Sequence, residues 1–166
     1  MHTADPKELM LNPFTKIGRE WMLITAGDET AHNTMTASWG GLGVIWNKNV
    51  ATCYVRPQRY TFGFMENGDR YSLCFFDESH REALNLCGRT SGRDTDKDKA
   101  AGLTCAFYQG VPYYEEASMV LICRKLYSQF LSKEGFEDPA LYSKNYPIDD
   151  LHKMYIGEIT DVLVKD

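Results

Sequence analysis

The chain has 166 residues, which fits one domain with a sizeable core. Its net charge of −5 excludes the basic stripe of a nucleic-acid binder, so any anion site has to be local. Five cysteines, an odd number without a CxxC pair, exclude a disulfide framework or a zinc ribbon, and four of them sit in apolar runs as small hydrophobes. This usage implies a reducing compartment. The opening "MHTADPKELM" lacks the apolar centre of a signal peptide. No apolar run approaches the roughly 20 residues needed to span a bilayer. A soluble, cytoplasmic protein with neither a membrane nor a nucleic-acid partner is expected.

In chain order, residues 1–19 read as a leader of turns or short helix, punctuated by Pro6 and Pro13. "EWMLITAG" (20–27) predicts a strand that ends at Gly27. "NTMTASW" (33–39) predicts another, with Thr34, Thr36 and Ser38 on one face and Met35, Ala37 and Trp39 on the other. The glycines of "GGLG" (40–43) read as a loop. Strands follow at 49–55 and 69–77, and at 104–114 where Gly110 and Pro112 break the run. "ASMVLICRKLYSQFL" (117–131) is apolar on both faces and reads as a strand, one face lining a barrel and the other meeting a partner subunit. "HKMYIGEITDVLVK" (152–165) closes the series. Short helical patches are predicted at 61–67 and 79–87, and a polar helix or turn at 94–102. Many strands with few short helices predict a closed or partly closed barrel, in a single domain over 1–166.

Three stretches bear on chemistry. In "VRPQRYTFGFMENG", Pro57 holds Arg56 extended and Thr61 stands where an N-cap would open a helix. Two arginines, a hydroxyl and free helix-end amides, with no acid between 56 and 61, suit a terminal phosphate. Two surface arginines on a solvated turn read as well. "CGRTSGRDTDK" (87–97) places Arg89, Ser91, Arg93 and Lys97 among glycines; taken alone it is a flexible surface loop whose charge Asp94, Asp96 and Asp98 offset. In "TMTASWGGLG", small residues at 36–38 let main-chain amides approach a flat heterocycle and Trp39 could cover it; taken alone the segment is a core strand with a Trp anchor.

Several signatures are missing. There is no GxGxxG, since Trp46 stands where the third glycine would be, and no P-loop or GxSxG elbow. His2, His32, His80 and His152 are scattered without ligand spacing, so no metal is expected.

"NTMTASWGG", "VRPQRYT", "CGRTSGRDTDK" and "HKMYIGEI", in that order, resemble the flavin reductase-like family from about residue 20 onward, and its flavoredoxin branch most. The resemblance implies an FMN-binding split β-barrel, Greek-key-like, with a few short helices, as a homodimer with one FMN per subunit. It implies that Met35, Thr36, Ala37, Ser38 and Trp39 lie along the isoalloxazine. It assigns Arg56, Arg59, Thr61, Ser91, Arg93 and Lys97 to the phosphate and ribityl end, and His152 to the nicotinamide or acceptor side. The loop "GLGVIWNKN" departs from the proline-containing loop of many flavin reductases. The implied activity is hydride transfer from NADH or NADPH to bound FMN and on to a small molecule or a redox protein. The alternative is an FMN-binding electron carrier with no nicotinamide site of its own.

Overall fold

The computed structural model describes residues 1–165. Ten strands are formed: β1 (His2–Ala4), β2 (Met22–Gly27), β3 (His32–Ala37), β4 (Gly40–Ile45), β5 (Lys48–Val55), β6 (Arg70–Phe75), β7 (Cys105–Tyr108), β8 (Val111–Tyr114), β9 (Met119–Phe130) and β10 (Lys153–Val164). Helices are short: α1 (Pro13–Thr15), which runs on into a π-turn over Lys16–Glu20, α2 (Tyr60–Asn67), α3 (Arg81–Arg89), α4 (Lys97–Ala101) and α5 (Pro139–Asn145). The fold is mainly β, with every strand pair antiparallel.

One sheet runs β3-β2-β6-β9-β10-β5-β4, with β1 added on β10, and β7-β8 form a separate hairpin. The hydrogen-bonded path ends at β3 and at β4, so the ring is not closed. β4 was not expected. Its glycines are weak strand formers, but Gly40 is needed here: a Cβ on it would stand 2.6 Å from the Thr52 carbonyl oxygen across the β4–β5 pair. The pair turns at Trp46 and Asn47, both at positive φ, which is a two-residue primed turn matched to strand twist. Gln109 and Gly110 do the same between β7 and β8.

Both faces of the central sheet are buried. Ile24, Met35, Cys53, Val55, Leu73, Leu121 and Tyr155 pack on one side with Met65 of α2. Leu23, Cys74, Val120 and Ile122 pack on the other against Leu84 and Cys87 of α3 and Val111 and Tyr114 of β8. This corrects the reading of 117–131. Residues 119–123 are buried on both faces within one chain, because α3 and the β7–β8 hairpin cover the second face. Solvent reaches the later half of β9, where Tyr127 and Phe130 are exposed. The stretch 1–19 is no loose leader: β1 pairs with the end of β10, and Ile17 is core.

Candidate functional site

The ends of β3 and β5 open onto one cavity of about 220 Å³, lined by Met35, Thr36, Ala37, Ser38, Trp39, Tyr54, Arg56, Arg59 and His152. The sequence places these residues in three separate stretches, and the sheet brings them together. Ser38, Trp39 and Tyr54 also wall a second, larger cavity of about 610 Å³, which continues along Gly40–Leu42 toward Phe14, Ile17, Leu131 and Tyr146. No charged side chain lines the larger space, whereas the smaller one carries two guanidinium groups. The paired spaces are therefore cationic at one end and apolar at the other.

Arg59 sits at the N-cap of α2 without a side-chain cap bond. Thr61, the expected cap, instead lies inside the first turn and is fully buried; its Oγ accepts from Asn33 Nδ2 at 2.7 Å. Arg59 Nη1 donates to the Gly88 carbonyl at 2.8 Å, while Nη2 is buried with no partner. Burial lowers the proton affinity of this guanidinium. Lys97 is buried too, and its Nζ donates to the carbonyls of Thr34 and Cys87, each at 2.8 Å. Desolvation pushes this ammonium down to about 8. Among the described residues neither cation is paired with a carboxylate. Arg59 is half-buried and keeps one donor free, and the Lys97 charge behind it adds positive potential, so this corner favours an anion.

Arg56 is held differently. It forms an ion pair with Asp150 and donates to the Asn145 carbonyl at 2.9 Å, which ties the segment after α5 to the cavity. The acid absent from 56–61 thus arrives from far along the chain. His152 is buried just before β10, and its Nδ1 shares a 2.8 Å hydrogen bond with the Tyr146 hydroxyl. Its ring lies 5.1 Å from that of Trp39. Burial, with the Arg56 charge beside it, pushes the imidazole down to about 4, so it is neutral at neutral pH. Trp39 is 47% exposed, which makes it a wall of the site and not a core anchor.

Thr61, Ser91, Arg93 and Lys97 do not line the cavity. Thr61 and Lys97 stand behind β3. Ser91 and Arg93 lie on the loop between α3 and α4, where the Arg93 guanidinium covers the Tyr60 ring at 4.8 Å. Gly92 of that loop has to be glycine, since a Cβ would fall 1.9 Å from Asn33 Oδ1. Sequence reasoning missed Asn33, Tyr54 and Tyr146. Tyr54 alternates with buried Cys53 and Val55 on β5, a pattern that could have pointed to it; Tyr146 carries no local signal.

No curated protein matches the chain. Solved structures with the same fold include an FMN-binding protein from Thermus thermophilus with bound p-hydroxybenzaldehyde, 18% identical, covering 100% of this chain and 83% of that one, with a TM-score of 0.68. Flavoredoxin of Desulfovibrio vulgaris (Miyazaki F) is 20% identical over 88% of this chain and 69% of its own, with a TM-score of 0.69. Nitrilotriacetate monooxygenase component B from Bacillus cereus is 18% identical over 100% of this chain and 82% of its own, with a TM-score of 0.70. Residues 14–166 match the flavin reductase like domain, and the chain belongs to that family.

Proposed function

We propose that the protein is an FMN-dependent oxidoreductase that takes hydride from NADH or NADPH and passes electrons to an acceptor. One observation carries the reading: Arg59, with its unpartnered buried Nη2, lines a cavity that adjoins an apolar one, and Lys97 adds positive charge from behind β3. FMN has that polarity, with a phosphate at one end and a flat ring at the other. When bound it supplies hydride acceptance and electron delivery that no side chain here provides.

Arg59 grips the phosphate, assisted by the uncapped first turn of α2 and, through its charge alone, by Lys97 behind β3. Ser91 and Arg93 are assigned to that end from the neighbouring loop, outside the cavity lining, and buried Thr61 supports it indirectly by holding Asn33. Arg56, fixed by Asp150, adds positive potential without being free to leave. Met35–Trp39 bear the ring, with main-chain N–H groups beside it as donors to developing negative charge. His152 is assigned to the nicotinamide or acceptor side. Being neutral, it seats a partner and does not need to move a proton.

The family relation and the open ladder fit a split barrel. A homodimer is part of the proposal, on a new basis: Val44, Ile45 and Trp46 at the β4 edge and Tyr127 on β9 are all exposed, with the Trp46 and Tyr127 rings 6.5 Å apart. An exposed apolar edge strand calls for cover. All five cysteines are free, in keeping with a cytoplasmic site of action, and no helix among the described residues is long and apolar enough to cross a membrane.

A second reading, an FMN-binding electron carrier, draws support from the uncharged wall of the larger cavity, which offers nothing to a dinucleotide's diphosphate. Anaerobic mixing of the FMN-loaded protein with NADH or NADPH decides between them. Bleaching of the flavin band within seconds supports the oxidoreductase. A yellow protein that is not bleached by either nucleotide but is reduced by dithionite is a carrier.

A further inference from the structure

Next to Lys97 in the chain, at Asp98, three potential metal ligands converge that the sequence scatters widely. His32 opens β3, Asp98 is in α4 and Cys105 opens β7. One ligand atom from each lies within 4.8 Å of the other two. His32 Nε2 and Asp98 Oδ2 are 2.7 Å apart, and their side chains are 21% and 26% exposed, so a small ion can reach them. We propose that His32, Asp98 and Cys105 bind a transition-metal dication of the zinc class, with the fourth position left to water.

The site is supported from behind. Tyr114, itself fully buried, donates its hydroxyl to Asp98 Oδ1 at 2.6 Å, which orients the carboxylate and leaves Oδ2 facing His32. The Phe107 ring meets the imidazole edge-on at 5.9 Å, fixing its plane. Outer partners of this kind hold ligands in place before the metal arrives. The donor set of one nitrogen, one carboxylate oxygen and one sulfur selects zinc or cobalt; magnesium and calcium prefer oxygen alone. Tetrahedral zinc, with bonds of roughly 2.0–2.3 Å, needs its ligand atoms about 3–4 Å apart. The His–Asp contact therefore opens slightly and the thiol moves in slightly, within reach of rotamer adjustment. The thiol proton and the proton shared between His32 and Asp98 leave as the cation enters, so the site gives up two protons for one dication.

The competing arrangement is a simple His–Asp ion pair with a neighbouring thiol. Cobalt chloride, added to the reduced full-length protein, separates the two, and no flavin is needed for the readout. The proposal expects one cobalt per chain, a thiolate-to-cobalt charge-transfer band, tetrahedral d–d bands, and displacement by zinc chloride but not by magnesium chloride. Cys105→Ser should abolish the charge-transfer band. Asp98→Asn, which can still accept from Tyr114, should weaken cobalt binding tenfold or more. Circular dichroism checks that each variant is folded; if Cys105→Ser is not, the wild-type spectrum and Asp98→Asn decide. Absence of the band at millimolar cobalt, its persistence in folded Cys105→Ser, or unchanged affinity in Asp98→Asn overturns the site.

Discussion

Replacing Arg59 by alanine tests the anion corner, because the structure sets opposite expectations for ligand binding and for stability. In the ligand-free chain the guanidinium makes one hydrogen bond, to the Gly88 carbonyl, and keeps a buried Nη2 unsatisfied beside the Lys97 charge. Losing the bond costs about 1 kcal/mol, and removing an unpaired buried charge offsets a similar amount. The Tm of the free variant should therefore lie within a few degrees of wild type, by the usual conversion for a chain of this size. FMN affinity should fall by about 1.5–3 kcal/mol, the worth of a charge-assisted hydrogen bond, which is roughly 10- to 150-fold. Arg59→Lys should fall between the two, keeping the charge and losing the fork. Riboflavin serves as the control, since it lacks the phosphate. Fluorescence titration of both flavins against wild type and variant gives the cycle. Wild type should prefer FMN, and the variant should lose most of that preference while its riboflavin affinity stays unchanged. Equal losses for FMN and riboflavin would show that Arg59 shapes the cavity and does not grip a phosphate; unchanged FMN affinity would make it a structural cation.

Three further outcomes follow from the geometry. An unfolded chain protonates His152 near its ordinary value of 6.5 and the folded chain only near 4, so this group lowers stability as pH falls from 6.5 to 4 and adds no loss outside that window. The swing is about 3–4 kcal/mol at roughly 1.4 kcal/mol per tenfold change in proton affinity, with Arg56, Asp150 and Tyr146 facing the ring, and urea denaturation of His152→Gln across that range should show it flattened. Gly157→Ala places a Cβ 2.4 Å from the Tyr71 hydroxyl and 3.0 Å from Cys123 Cβ in the core of β10, so it should destabilise by about 1–3 kcal/mol without preventing FMN uptake; a neutral urea midpoint would contradict the packing. Light scattering at micromolar concentration should report twice 19.0 kDa, and Trp46→Lys together with Tyr127→Lys should yield the monomer; a wild-type particle of 19.0 kDa removes the dimer.

Alternation marked β3 and the end of β10, because a strand with one buried face writes its period into adjacent residues, whereas β2, β5 and β6 were legible as apolar, β-branched or aromatic runs between turn signals. Residues 117–131 were legible as a strand, but the cover of their second face was not, since α3 and the β7–β8 hairpin that supply it are distant in sequence. β4 was hidden because its glycines lower strand propensity, and the need for one of them, Gly40, comes from the Thr52 carbonyl on the neighbouring strand. α5 carried no periodic signal. The clusters at 34–39 and 56–61 were visible as short runs, and the structure brings them to one cavity. How each side chain is held there depends on distant partners. Asp150, 94 residues away, takes Arg56 as a structural pair. Gly88 takes one arm of Arg59 and leaves the other free, Asn33 draws Thr61 behind the wall, and the Tyr146 hydroxyl takes up Nδ1 of the buried His152. Local pattern is set by backbone geometry over a few residues and can be read in one dimension. Pairing and burial of charge depend on which surfaces the sheet brings face to face, and only the folded chain holds that information.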